Sequence, residues 1–493
     1  VFANSLVRLE DVEVVGFDFD FTLVHYKAAL NELIYDLALR RLVEVRQYPA
    51  ELLEAAGRYD PTLAIRGLSL DKRSGAIVKL SYRHNLNPAR VFLGRRRVER
   101  DDPALRLFGD SNHVSVATRD AYLRPLHDLF SLSEASLIGN VLDYFQRQGI
   151  EHDTAAVIGD IMQSVTDVHL TGAMHRGVLA DPARFIHHGE ARKARLHDTL
   201  RRFQAAGKKL FISSNSPYKY VAGGMDFVLG PDWQDFFDVV IVSAQKPSFY
   251  SSSRPFRRVE VGGAGDAHGV DGDLTGGRVT WEAVTELEKG CVYTHGSLAE
   301  LARLTGWNGP NVLYFGDSLW ADLVDARRLH GWTTAAVVAE VEEDIRVQHQ
   351  DEYAYVLNKR GLLRELLRLV QRELTADAPS PAAAGDDALL LQTIEDCINK
   401  TTSELSLLSH ERWGSVFRTE AHQTLFSFSL QRFVDLYTAR IDNLADYSPE
   451  HRFYPNSRSA DVSSMAHDAA ALSQHELIEL LCPDDVDEEE GER

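Results

Sequence analysis

The chain has 493 residues, a formal net charge of −20, and 44% hydrophobic and 26% charged residues. Such a length exceeds what one hydrophobic core ordinarily serves, so two or three structural units are expected within an ordinary globular composition. The acidic surplus argues against a nucleic-acid groove or an anionic membrane surface as the main partner.

No apolar run approaches the ~20 residues needed to span a bilayer. Cys291, Cys397 and Cys482 stand far apart without a CxxC pair, which argues against a disulfide framework or a Cys-rich zinc site and fits a reducing, cytoplasmic compartment. The opening Val1-Phe2-Ala3-Asn4 has no basic or apolar signal region,. It also lacks Met, so a mitochondrial location after removal of a targeting peptide is the alternative.

Residues 12–17 form the first of four short apolar runs and lead into Asp18. Nearly two hundred residues follow before the next run, too many for one crossover, so an inserted unit is expected at 28–185. Its helical patterns, such as 28–44 and 133–148, predict a mainly helical cap. Arg95-Arg96-Arg97 within it reads as a solvated basic patch paired with Glu99 and Asp101. The second run, 209–213, leads into Ser214-Asn215-Ser216-Pro217, and the third, 239–243, leads into Lys246-Pro247. A Gly-rich stretch at 259–280 predicts a loop or hairpin. It lacks the Gly-Lys-Ser/Thr ending of a phosphate-cradling loop. The fourth run, 312–315, leads into Gly316-Asp317.

Each run is rich in Val, Ile, Leu or Phe and bounded by turn residues, as buried parallel strands are. With helical patterns between them, at 190–206 and 322–330, the expected fold is α/β with a doubly wound parallel sheet. Residues 1–27 and 186–375 would form this core. A linker at 376–385, a helical C-terminal extension at 386–482 and an acidic, solvated tail at 483–493 would follow. Phe426, Phe428, Phe433, Leu436 and Tyr437 read as core or interface rather than cofactor contacts.

The chemistry gathers at the strand ends, where open α/β sheets bind ligands. Asp18 and Asp20 have the spacing that lets one carboxylate attack phosphorus while the other delivers a proton to the departing oxygen. Two carboxylates repel a phosphate dianion, so a cation is required, and Mg²⁺ suits oxygen donors. Asp317 and Asp322 supply further carboxylates. Ser214 offers a hydroxyl, Lys246 a charge and Asn215 an amide to a phosphoryl group. Each element alone has a bland alternative, a cap or a surface residue, and their order along the chain decides between them. The histidines His187, His188 and His197 lack metal-site spacing and receive no role.

This order resembles the haloacid dehalogenase superfamily. Within it, the chain is similar to the 5′-nucleotidase domain-containing proteins, relatives of the cytosolic purine 5′-nucleotidase. The similarity rests on Gly16-Phe17-Asp18-Phe19-Asp20-Phe21-Thr22, Ala64-Ile65-Arg66-Gly67-Leu68, Asp167-Val168-His169, Ser214-Asn215-Ser216-Pro217, Lys246-Pro247-Ser248-Phe249, Leu313-Tyr314-Phe315-Gly316-Asp317 and Gly414-Ser415-Val416-Phe417-Arg418. The resemblance implies Asp18 as nucleophile, Asp20 as general acid and base, and Ser214 and Lys246 as phosphoryl holders. It also implies Mg²⁺ on Asp18, the carbonyl of Asp20 and Asp317, with Asp322 in support, and a nucleoside monophosphate as substrate. Homo-oligomers occur among such relatives.

His169 is either a substrate contact or a structural histidine. Where the purine enzyme has an Arg and an Asp for the base and a Lys near the phosphate, this chain aligns Met162, Thr166 and His175, which leaves the base preference open. The main rival is an interaction protein that keeps the fold with weak catalysis, and a phosphatase of another small metabolite is a second.

Overall fold

The computed structural model describes residues 1–99, 102–108, 112–261, 274–376, 383–419, 422–455 and 465–469. Ten strands build the main sheet: β1 (Phe2–Ala3), β2 (Val14–Phe17), β3 (Lys209–Ser213), β4 (Val239–Val242), β5 (Phe256–Val261), β6 (Gly277–Val279), β7 (Val292–His295), β8 (Val312–Gly316), β9 (Thr333–Val337) and β10 (Leu436–Thr438). Their spatial order is β1-β10-β9-β8-β2-β3-β4-β7-β5-β6. The seven strands from β10 to β7 run parallel, and β1, β5 and β6 pair antiparallel at the edges.

The central strands are buried along their whole length because both faces are covered, which is why they read as continuous apolar runs,. Gly16 is required by this packing: a Cβ there would lie 2.1 Å from the Phe211 ring. The chain leaves β2 to one side for β3 and β4, then returns to the other side as β8. This reversal makes the β2/β8 boundary a topological switch point, where the carboxyl ends of the strands open a crevice. The Gly-rich excursion is a hairpin, β5 with β6. Its tip at 262–273 lies outside the described residues, as do Asp101, Cys482 and the acidic run at 484–492.

The longer helices of the insert between β2 and β3 are α1 (Ala29–Glu44), α2 (Ser131–Gln148), α3 (Thr154–Leu170) and α4 (Ala173–Ala180), packed on one another. The insert is not helical throughout, however. It also holds a five-stranded antiparallel sheet that includes Leu68–Asp71, Ala76–Lys79 and Leu123–Pro125. The first two are four residues long and buried on both faces, so neither displays the alternation that would reveal a strand. Within the basic patch, Arg95 pairs with Asp60 at 3.2 Å and Arg96 with Asp102 at 3.0 Å.

The C-terminal part is likewise not purely helical. Helices α5 (Asp351–Ala376) and α6 (Ala383–Leu407) pack against each other, leaving 377–382 of the expected linker outside the described residues. The chain then returns to the core, where β10 enters the main sheet between β1 and β9 and buries Leu436 and Tyr437. Lys79 of the insert is 4% exposed and donates to the carbonyls of Trp413 and Arg418 at 2.7 and 2.8 Å, tying the returning segment to the insert's sheet. Among the described residues no helix is long and apolar enough to cross a membrane.

Asp344 fastens the same return. Its carboxylate accepts from Ser415 Oγ at 2.7 Å and Arg418 Nη1 at 2.8 Å, and contacts His467 Nε2 at 3.0 Å. Burial would raise its pKa, but Arg418 and His467 outweigh burial and hold it well below the usual carboxylate range. Asp344→Asn should therefore cost about 1–3 kcal/mol in urea unfolding, because Arg418 loses one of its two carboxylate partners and keeps only Asp468,. A depressed folded pKa gives stability that is present above the unfolded value and lost as pH falls toward the folded one. The difference between wild type and variant should thus hold steady above about pH 5 and shrink below about pH 4. A difference indifferent to acid would assign the loss to packing.

Candidate active site

The geometry follows from strand register. Phe17 of β2 lies opposite Phe315 of β8, so Asp18 and Asp317 leave adjacent parallel strands side by side, and the Asp18 N–H donates to the Phe315 carbonyl at 2.8 Å. Asp322 reaches them from a π-helical turn over Leu319–Leu323, not from the start of the regular helix Val324–His330. Ser318 holds that turn: its Oγ accepts from Ala321 N at 3.3 Å, and its own N–H donates to Asp322 Oδ2 at 3.2 Å. Gly316 makes room, since a Cβ at that position would lie 2.8 Å from the same Asp322 oxygen.

Carboxylate oxygens of Asp18, Asp317 and Asp322 fall within 4.8 Å of one another. All three residues are buried. One ammonium answers them: Lys246 Nζ stands 2.8 Å from Asp18 Oδ1 and 2.5 Å from Asp322 Oδ1. It also donates to Tyr314 OH at 3.1 Å, and that hydroxyl donates to the Ser213 carbonyl. Burial disfavours the Lys246 charge, yet the two carboxylates hold its pKa above the ordinary lysine value.

For the acids the balance is reversed. Burial, with Asp322 and Asp20 adding to it against the attraction of Lys246, raises Asp18 to about 7. Asp317 is raised well above the carboxylate range by burial, Asp322 and Asp18, with Arg66 opposing. When ionised, three buried carboxylates outnumber the one ammonium, an excess that a further cation would neutralise. An all-oxygen donor set suits a hard dication. The other acidic group of this kind among the described residues, Asp344 with His467 and Asp468, already encloses Arg418 and is an ion-pair network.

Asp20 stands apart from this cluster. Tyr26 OH and Ser216 Oγ each donate to its carboxylate at 2.6 Å, and Tyr220 OH donates to Tyr26 OH at 3.0 Å. Burial raises its pKa, against the lowering effect of the Ser216 and Tyr26 hydrogen bonds. Phe21 follows with a left-handed φ of 52° and packs its ring on Tyr26 and Phe130.

A cleft of about 570 Å³ opens in front of Asp20, lined among others by Phe130, His169, His175, Asn215 and Ser216. The His169 ring lies edge-on to Phe130 at 5.4 Å. Burial lowers the pKa of His169, and lowers that of His175 to about 4 with help from neighbouring positive groups, so both imidazoles are neutral at pH 7. Met162 and Thr166 do not line this cleft. Thr166 is exposed and its hydroxyl returns to the Met162 carbonyl at 2.9 Å.

Ser214 is fully buried and its Oγ accepts from Ser216 N at 3.0 Å. Asn215 grips the main chain of Lys246 with both amide atoms, accepting from its N–H at 2.7 Å and donating to its carbonyl at 3.0 Å. The amide offered to a phosphoryl group on sequence grounds thus also places the lysine.

Sequence reasoning also passed over Arg66. It is 1% exposed, its Nη1 donates to the Asp317 carbonyl at 3.2 Å, and its Nε and Nη2 pair with Glu340. An arginine from the insert therefore reaches under the acidic cluster. The available signal was an Arg set between apolar Ile65 and Gly67-Leu68, where a charge has no periodic reason to stand.

Comparison with known proteins agrees with the motif order. A model of the 5′ nucleotidase family matches residues 1–470. 5′-nucleotidase domain-containing protein 2 of Rattus norvegicus is 36% identical over 462 residues, covering 92% of this chain and 78% of the relative. Its counterpart in Homo sapiens is 35% identical over 464 residues, covering 92% and 83%. A 5′-nucleotidase domain-containing protein of Dictyostelium discoideum is 33% identical over 454 residues, covering 91% and 72%. With a model that spans nearly the whole chain and relatives aligned along most of theirs, this protein belongs to the 5′-nucleotidase family.

Proposed function

We propose that the chain is a Mg²⁺-dependent phosphomonoesterase of the haloacid-dehalogenase type that hydrolyses nucleoside 5′-monophosphates through an aspartyl-phosphate on Asp18. The observation that carries the proposal is the division of labour between two carboxylates. Asp18 sits in a charge-deficient cluster with Asp317, Asp322 and Lys246, while Asp20, two residues on, is held by hydroxyl donors at the mouth of a cleft.

An Asp18 oxygen attacks phosphorus, and the bond from phosphorus to the ester oxygen breaks. Asp20, whose protonated form burial favours, gives its proton to that oxygen,. In the second step a water attacks the aspartyl-phosphate, Asp20 takes the water's proton, and inorganic phosphate leaves with the Asp18 carboxylate restored. Ser214 and Lys246 hold the phosphoryl oxygens, with Asn215 fixing the lysine. Asp18, Asp317 and the carbonyl of Asp20, supported by Asp322, would hold Mg²⁺. When bound, the ion supplies the positive charge that lets an anionic nucleophile meet an anionic phosphate. Phe130 with neutral His169 and His175 offers a flat, uncharged wall suited to an aromatic base,. A second reading, a fold kept mainly for docking a protein or another copy, draws on the exposed Tyr355, Leu362 and Leu389 of α5 and α6,.

Phosphate release across a panel of nucleoside 5′-monophosphates and sugar phosphates should need Mg²⁺, stop with EDTA, and fall to background in Asp18→Asn. Turnover that survives in this variant would refute the mechanism. Asp20→Asn should lose about 10²–10⁴-fold. Since Asp20 must be protonated to donate, the wild-type rate should decline as pH rises through its raised pKa, and the variant should lack that limb. Arg66→Met should cost about 3 kcal/mol of stability and raise the Mg²⁺ concentration needed for half-maximal rate. An unchanged Mg²⁺ requirement would confine Arg66 to structural support.

A further inference from the structure

The chain enters and leaves the insert through a paired neck: Lys27 N–H donates to the Phe185 carbonyl at 2.7 Å and His187 N–H to the His25 carbonyl at 2.8 Å. Beneath this neck lies a cavity of about 350 Å³ that shares no lining residue with the cleft in front of Asp20. We propose that this cavity is a second anion site, which takes a small phosphate-bearing molecule between Arg192, Lys193 and the imidazoles of His25 and His187.

Four features meet there. Arg192 is half-buried, and among the described residues no carboxylate stands within ion-pair distance of it or of Lys193. Asp442 and Glu342 attract Arg192 only from beyond that distance, so a half-buried cation is left without a close counter-charge. The 16-residue helix Glu190–Ala205 begins at Gly189 with no side-chain cap, and its first turn lines the cavity, adding peptide dipoles that favour an anion,.

The field is positive as well: burial first, then Arg192, His187 and Arg440, push His25 down to about 3. Two acids also line the cavity. Asp442 is answered by Arg440 at 3.1 Å and Arg195 at 3.9 Å, and Glu190 is exposed in the helix's first turn. Finally, Leu196, Phe227 and Ile441 give an apolar wall, which suits an organic phosphate better than a bare ion.

Thr22 and Leu23 of the loop that follows Asp20 also border the cavity. A ligand there would touch the catalytic loop, both neck segments and the core helix at once. It would therefore bias how the insert seats over the cleft. This coupling rests on the proposed phosphatase function; the binding does not.

The test is calorimetric titration of the full chain with inorganic pyrophosphate in EDTA, where the acidic cluster repels anions. Saturable binding is expected, weakened at least tenfold (about 1.4 kcal/mol) in the double variant Arg192→Gln/Lys193→Gln and unchanged in Asp18→Asn. In wild type, imidazole NMR signals of His25 and His187 should shift along the same isotherm, which serves if the double variant folds poorly. Equal affinity in a folded double variant, or no saturation by about 10 mM, would overturn the site. Binding in a protein without phosphatase activity would uphold it while the catalytic proposal fails.

Discussion

Everything near the sheet's carboxyl edge answers one electrostatic constraint: Asp18, Asp317 and Asp322 share a buried space with a single ammonium. Carboxylates in such a setting either protonate or acquire a cation. The surrounding structure holds them together regardless. Parallel register sets Asp18 beside Asp317, the missing side chain of Gly316 admits Asp322, and Ser318 caps the turn that carries it. Asn215 fixes the backbone of Lys246 at both its N–H and its carbonyl. These contacts fix where the side chains of the cluster stand.

The same constraint explains why insert and core are not independent bodies. Arg66 belongs to the insert, yet its guanidinium lies under Asp317 and pairs with Glu340 beyond β9. Lys79 buries its ammonium against carbonyls of the returning C-terminal segment. That segment ends as β10 in the main sheet. A buried cation cannot be withdrawn cheaply once its partners are dry, so these two side chains act as bolts between units that the order of the chain would separate.

The sequence made the parallel core legible because each central strand is apolar throughout and closes on a chemically marked residue. Residues 209–213 and 239–243 coincide with β3 and β4 to within one residue, and Asp18, Lys246, Asp317 and Asp322 do converge. What stayed hidden depends on contacts distant in the chain. The insert strands Leu68–Asp71 and Ala76–Lys79 are short and buried on both faces, so period alone could not separate them from helix. The three residues of β10 follow directly on the helical pattern of Leu425–Phe433, and only the open edge of β9 turns them into a strand. Arg66 and Ser216 have no periodic signature. Their roles exist only because the fold brings Asp317 and Asp20 to them.

The loop from Asp18 to His25 is where these threads meet. Within eight residues it supplies the candidate nucleophile, the candidate acid, the Tyr26-facing turn at Phe21 and the first strand of the neck. One face of it borders the cleft through Asp20, and the other borders the neck cavity through Thr22 and Leu23. Phe21, left-handed and packed on Tyr26 and Phe130, couples the turn to the insert's wall of the cleft. The neck and the Tyr26–Asp20 hydrogen bond are thus joined through one short stretch of backbone. The geometry at the strand end is thereby tied to that of the two crossings above it.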